Sequence, residues 1–278
     1  MAELPELETL RRELEKESVG KRLKVPEVTG AKVTKRNGNK KIFQARLEGA
    51  KVKSVDRRGR FLVANLDNSE MLVLDLGETG RLEKAAPRAT SPKGTLVVLG
   101  FTQGGQVWLL DPGGTAQAFV VATNAVAEDL PELAACGLDP VADAVSWTLF
   151  ARSILARNLK LKALLMAPDM VVGIGPIYSD EILWEAGLRH DRISSELSSQ
   201  EIRRLFRALV ETLHEAVKYR GTTVGENGFV DLYGKSGDYQ NHLKVFGRDG
   251  EPCRRCRAAV VKTRFANKPL YFCDACQV

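Results

Sequence analysis

The sequence predicts an α+β protein of two domains that ends in a metal-clipped hairpin. Three observations carry this. Apolar residues recur at helical spacing near the N-terminus and again from about 144 to 219. Between those stretches, from about 21 to 125, they recur with period two. Two Cys-x2-Cys pairs, Cys253/Cys256 and Cys273/Cys276, stand near the end with sixteen residues between them. A chain of 278 residues with 44% hydrophobic content can bury two ordinary cores. No apolar run has the length of a membrane span. The first residues are acidic (Glu3, Glu6, Glu8), unlike a signal or transit peptide. A cytoplasmic protein with no membrane partner is therefore expected. The formal net charge of +6 favours a polyanionic partner without naming one. Only His190, His214 and His242 are present, and they are scattered. That argues against a histidine metal centre or triad and leaves carboxylates, amines and hydroxyls for chemistry.

Residues 2–19 read as a helix, with Leu7, Leu10 and Leu14 on one face, Pro5 in the first turn and Gly20 as the stop. Ala2 is small enough to permit removal of Met1, which would leave a free α-amine beside Glu3. Short strands are expected at 41–47, 61–66, 71–76, 95–101 and 106–111, with turns at Asp67-Asn68-Ser69 and Gln103-Gly104-Gly105. Strands at this spacing suit a sandwich or barrel. Arg57-Arg58-Gly59-Arg60 reads as a tight basic turn: a solvated loop or an anion contact. The acidic, proline-bearing stretch 126–143 reads as a linker and contains Cys136, a thiol with no assigned task. Helices follow within 147–166 and over 198–218. Between them Gly173-Ile174-Gly175-Pro176 opens a further helix. Such a turn can cradle a phosphate or merely pack two helices. The resulting division is a β domain over 1–125, a linker over 126–143, a helical domain over 144–240 and a hairpin over 241–278.

The cysteine spacing suits a tetrahedral Zn2+ site, each Cys-x2-Cys turning two sulfurs onto one ion. Paired disulfides are the alternative, but a reducing compartment keeps thiols free. The intervening residues read as two strands around Phe265-Ala266-Asn267-Lys268-Pro269, studded with Arg254, Arg255, Arg257, Lys262, Arg264 and Lys268.

Taken together, Glu3-Leu4-Pro5-Glu6-Leu7-Glu8-Thr9, Val172-Gly173-Ile174-Gly175 with Ile177-Tyr178, Gly221-Thr222-Thr223, Val245-Phe246-Gly247-Arg248 with Gly250-Glu251-Pro252-Cys253, and Tyr271-Phe272-Cys273 to Cys276-Gln277 resemble the formamidopyrimidine-DNA glycosylase family nearly end to end. The resemblance implies an N-terminal helix and β-sandwich, a helix–two-turn–helix domain and a zinc hairpin, with duplex DNA held between the domains; the expected partner is damaged double- or single-stranded DNA, and the expected state a monomer. It also implies a chemistry. The mature N-terminal amine attacks C1′ of the damaged nucleotide, the base departs, a Schiff base forms, and β- and δ-elimination cut the strand. By position Ala2 is the nucleophile, Glu3 the general acid/base, Glu6 a supporting carboxylate and Arg60 the cation of the basic turn. Arg60, the Gly173–Gly175 turn, Tyr178, Arg254, Arg255 and Lys268 are the implied DNA contacts.

Departures from the family pattern set further expectations. Ala2 stands for Pro, Arg60 for Lys, Pro176 for Asn and Lys268 for Arg. His-Leu-Gly-Met becomes Asp75-Leu76-Gly77-Glu78, and Asp-Pro-Arg-Arg-Phe becomes Asp111-Pro112-Gly113-Gly114-Thr115. The side chains that would fill the duplex after base extrusion are thus replaced. Three readings remain: a glycosylase/lyase of altered lesion preference with little activity on 8-oxoguanine in duplex, a DNA-lesion binder without catalysis, or a paralogue that has left DNA. The retained Glu3 and removable Met1 favour the first.

Overall fold

A computed structural model describes residues 2–30, 32–225 and 228–278. Met1, whose removal the sequence predicts, lies outside them. The described residues up to Ala134, together with Arg220–Gly237, form one compact unit; Ala135–Tyr219 with Asp238–Val278 form the other. No helix of the described residues is long and apolar enough to cross a membrane.

The first unit opens with α1 (Leu4–Ser18), followed by β1 (Glu27–Val28), α2 (Lys40–Leu47), β2 (Val52–Arg58), β3 (Phe61–Leu66), β4 (Glu70–Asp75), β5 (Arg81–Ala85), β6 (Thr95–Gly100), β7 (Gln106–Leu110), β8 (Gln117–Ala122), α3 (Val126–Asp129) and α4 (Pro131–Ala134). The strands form two antiparallel sheets, ordered β2-β3-β4-β8 and β1-β6-β7-β5. Alternate residues of β3 and β4 (Leu62, Ala64, Leu72, Leu74) share one core with Val97, Leu99, Val107 and Leu109 of the other sheet. Leu7, Leu10 and Leu14 of α1 join the same core. The opposite face of β3, β4 and β8 (Phe61, Val63, Val73, Phe119, Val121) is covered as well, by Leu130 between α3 and α4. Strands buried on both faces lose their alternation, so β8 shows no clear period in the sequence.

Three expectations need correction. The stretch 41–47 is helix α2, not a strand. The Asn39 side chain accepts the N–H groups of Lys41 and Ile42, a local cap. Phe43 and Leu47, one helical turn apart, are both fully buried. The basic turn is smaller than its sequence: Arg57 and Arg58 end β2, and only Gly59-Arg60 turns. Arg57 points inward, its Nε 3.3 Å from Glu8 Oε2, with no exposed side-chain surface. The boundaries at 126–143 and 240 also differ from the observed units. Leu130 is buried in the first unit, and residues 220–237 pack there too. The reason is a row of glutamates on α1. Thr222 N–H donates to Glu6 Oε1 at 2.7 Å and Leu232 N–H to Glu13 Oε2 at 2.9 Å. Arg220 bridges Glu13 and the buried Asp231, and Tyr233 Oη donates to Glu17 at 2.8 Å.

The second unit contains α5 (Trp147–Leu155), α6 (Leu161–Leu165), α7 (Pro176–Ala186), α8 (Ser199–Lys218), and a hairpin of β9 (Val261–Phe265) and β10 (Lys268–Phe272). Ser198 and Glu201 form a capping box at the start of α8, whose Ile202, Leu205, Leu209 and Leu213 are buried. The hairpin turns on Ala266 and Asn267, both with φ above zero (46° and 62°), which twists the strands as a two-residue loop requires.

Candidate active site and zinc knuckle

The start of α1 is built from acids that the fold buries. Glu3 is the N-cap in extended conformation and Glu6 sits in the first helical turn, the positive end of the helix dipole. Glu3 N–H donates to Glu6 Oε2 at 2.9 Å, while Glu6 Oε1 takes the N–H of Thr222. Each Glu6 oxygen therefore receives a backbone donor, one from the chain start and one from the 220–237 segment. A Cβ at Gly221 would lie 2.6 Å from Glu6 Oε1, so only glycine allows that approach. Both carboxylates are 3% exposed or less, and half-buried Ala2 packs against the core. The structure thus brings Ala2, Glu3 and Glu6 together and adds Thr222. Gly221-Thr222-Thr223 was visible as a motif, but its link to Glu6 was not.

Arg60 lies on the β2–β3 turn. Its Nη2 stands 3.0 Å from Asp75 Oδ2, and its guanidinium carbon is 5.1 Å from the centre of the Phe61 ring. Beside it, the β4–β5 and β7–β8 loops are tied to one another through Asp111. That carboxylate accepts the N–H groups of Gly113 (3.0 Å), Thr115 (2.5 Å) and Ala116 (2.6 Å), and the Thr79 hydroxyl. Glu78 N–H donates to Thr115 Oγ1 at 3.1 Å. Burial opposes the charge on Asp111, but the Thr79 hydroxyl and these N–H groups outweigh it and hold the carboxyl below its ordinary range. Glu78 is exposed at the tip of this knot, and a Cβ at Gly77 would run into Thr115.

In the second unit the glycine turn leads into α7 as expected. Gly173 has φ +68°, which favours glycine, and Gly175 is the N-cap ahead of Pro176. Tyr178 departs from its expected role as a DNA contact: its side chain has no exposed surface and its ring lies 5.8 Å from that of Tyr239. Lys162, read only as part of a basic helix, is also fully buried. Its Nζ lies 2.5 Å from Asp180 Oδ1 and donates to Ser179 Oγ at 2.9 Å. Asp180 Oδ2 takes the N–H of Tyr271 at 2.9 Å, joining α6, α7 and β10. Burial lifts the Asp180 carboxyl to about 7 against the pull of Lys162. Glu181, pushed up by burial, accepts the N–H groups of Lys244, Val245 and Phe246. Nothing in the sequence paired these residues, because the partners lie far apart along the chain.

The four cysteine sulfurs lie within 4.8 Å of one another. Cys256 and Cys273 are 3.4 Å apart and Cys253 and Cys276 3.9 Å apart. Tetrahedral Zn–S bonds of about 2.3 Å place sulfurs roughly 3.8 Å apart, so the donor set fits Zn2+. Burial raises the Cys253 thiol, yet the N–H groups of Cys256 and Arg255 and the Trp184 indole bring it down to about 6, whereas burial and the neighbouring sulfurs push the Cys273 and Cys276 thiols up. Trp184 Nε1 donates to Cys253 Sγ at 3.3 Å. Arg255 is partly committed to the fold: its guanidinium lies 4.3 Å from the Trp184 ring centre and donates to the carbonyls of Trp184 and Glu185. Arg254 donates to Asn241 O at 3.2 Å, and Lys268 is exposed beside the hairpin tip.

A helix-led β-sandwich, a helical unit and a four-cysteine hairpin follow one another along the chain. Comparison with known proteins gives the family. Residues 1–117 match the formamidopyrimidine-DNA glycosylase N-terminal domain, 136–227 the H2TH domain of the same enzymes, and 250–278 the zinc finger found in FPG and IleRS. The formamidopyrimidine-DNA glycosylase of Geobacillus kaustophilus is 35% identical over the full length of both chains. That of Pelotomaculum thermopropionicum is 32% identical over 100% of this chain and 99% of its own. Among solved structures, the Lactococcus lactis Fpg in complex with DNA containing an abasic site superposes with a TM-score of 0.89 at 29% identity, covering 99% of each chain. The Thermus thermophilus MutM (Fpg) protein gives 0.88 at 32% identity, over 99% of this chain and 98% of that one. The chain belongs to the formamidopyrimidine-DNA glycosylase family.

Proposed function

We propose that the mature N-terminal amine of Ala2 is the nucleophile of this DNA glycosylase, with Glu3 as its acid/base and Glu6 as the carboxylate that fixes both. Family membership makes the chain a zinc-containing, DNA-binding glycosylase of base excision repair with AP lyase activity. The observation that carries the residue assignment is the buried pairing of Glu3 and Glu6 at the start of α1. An α-amine has a pKa of about 7.7–8.0, so a useful fraction is unprotonated at neutral pH. Its lone pair forms the N–C1′ bond as the bond to the base breaks, and the base leaves with a proton. Glu3 protonates O4′ as the sugar opens, and the nitrogen loses a proton to give the Schiff base. Loss of a C2′ proton then expels the 3′ phosphate, and δ-elimination expels the 5′ phosphate. Glu6, with both oxygens occupied by N–H groups, positions rather than shuttles protons. The base must first leave the stack, at a cost of a few kcal/mol.

The phosphate contacts in this reading are Arg60, the Gly173–Gly175 turn, Arg254, Arg255 and Lys268. Lesion preference is altered, because the loops that carry Glu78 and Gly113-Gly114-Thr115 present a small, hydrogen-bonded, anionic tip and no large side chain to insert. Substrates that are already unstacked, such as abasic sites, single strands and bulky adducts, suit such a tip; 8-oxoguanine in intact duplex does not. We assign the protein a monomeric state and a cytoplasmic, nucleoid-associated place. The Arg60–Asp75 pair favours a second reading, a lesion binder with little catalysis, because it neutralises the cation of the turn. Incision assays separate the two. Wild type should cut abasic-site DNA faster than 8-oxoguanine duplex, and Glu3→Gln should lose incision while keeping binding. Binding to abasic DNA without any incision would favour the silent reading, and faster cutting of 8-oxoguanine duplex would overturn the altered preference.

A further inference from the structure

Asp75 is an acid set directly against a proposed DNA contact. It ends β4 opposite Phe61 in the sheet register, which brings its side chain to the β2–β3 turn. Oδ2 meets Arg60 Nη2 at 3.0 Å, and Oδ1 accepts the N–H of Gly77 at 3.0 Å. The carboxylate side chain is 6% exposed and the arginine side chain 62% exposed. The Phe61 ring lies under the guanidinium, and Glu132 on α4 also feels its charge. A buried carboxylate is screened less than a surface one, so it cancels part of the field that Arg60 projects. With one oxygen pinned by backbone, it also limits how the guanidinium can turn.

We infer that Asp75 is a specificity-determining residue: it orients Arg60 towards a single phosphate while holding down the charge Arg60 offers to any duplex. This rests on the reading that Arg60 meets the DNA backbone. Non-specific affinity comes almost wholly from cations that displace counterions from phosphates. A cation already paired with a buried acid contributes less to that, yet its oriented N–H groups still reward one register of the strand.

Asp75→Asn tests the idea, since asparagine keeps the size and the acceptor for Gly77 N–H while removing the charge. Binding of the full-length, zinc-loaded protein to undamaged duplex and to a stable abasic-site analogue is measured over a salt series. Wild type, D75N, R60A and the double variant are compared. D75N should bind undamaged duplex several-fold more tightly at low salt and narrow the abasic-to-undamaged ratio. The slope of log K against log salt should steepen by up to about 0.9. In the R60A background D75N should change neither slope nor ratio, and Asp75→Glu, which keeps the charge, should behave as wild type. R60A with wild-type affinity and slope would remove the premise that Arg60 meets phosphate. If R60A weakens binding but D75N leaves slope and ratio unchanged, or acts equally without Arg60, the premise survives and the role of Asp75 is refuted.

Discussion

Glu6 and Asp111 do similar work: each is a buried carboxylate that satisfies backbone N–H groups of segments far apart or sharply turned. Leaving such donors without an acceptor costs about 1–3 kcal/mol each. Glu6→Ala should therefore destabilise the first unit by roughly 2–4 kcal/mol in urea melts, and Glu6→Gln by less, because one acceptor remains. Asp111 gives a pH signature. Its folded pKa is depressed, so the stability it contributes is present above the unfolded carboxylate range and is lost as pH falls through the folded pKa. The melting temperature should drop below about pH 4, and Asp111→Asn should flatten that drop. Glu8, buried yet held low by Arg11, Arg57 and Arg12, adds in the same direction. At this scale the sequence displayed the residue types but not their partners. Tyr178 stood in a motif next to the glycine turn and looked like a contact, whereas its ring is enclosed. Arg57 looked like part of a basic loop, whereas its charge is answered by Glu8 across 49 positions of chain.

Elements were legible where one local rule governs them. The leucines of α1, the amphipathic period of α8, the glycine before α7 and the β9–β10 turn all follow from neighbours in sequence. The failures have equally local causes. For α2, the run Ile42-Phe43 beside Leu47 suited either period, and Asn39 decided for a helix. For β2, a register shift between Val52 and Ser54 breaks the alternation. The zinc hairpin offers a test at this scale. Trp184 is buried against Cys253 and Tyr271 in a small core of its own, so the metal and that core should stand together. Stripping zinc with a chelator should shift tryptophan emission to the red and lower DNA affinity. Restoring zinc should reverse both. An unchanged spectrum after verified metal loss would mean that the hairpin core folds without the ion.

For the whole molecule, fold class, zinc site and family were readable because they depend on spacing and on motifs spread over the full chain. The division into units was not, because residues 220–237 join α1 through Glu6, Glu13 and Glu17, carboxylates that look like ordinary solvated charges on a helix. The same arrangement ties the chain start to a segment more than two hundred positions away, and the proposed chemistry depends on it. The account stands or falls on the α-amine of Ala2. Borohydride reduction during reaction with abasic-site DNA, followed by peptide mass spectrometry of the trapped species, tests this most directly. The adduct should be found on the N-terminal peptide beginning at Ala2, with Met1 gone. A trapped strand on a lysine, a retained Met1, or no covalent species at all from protein that binds the DNA would contradict it.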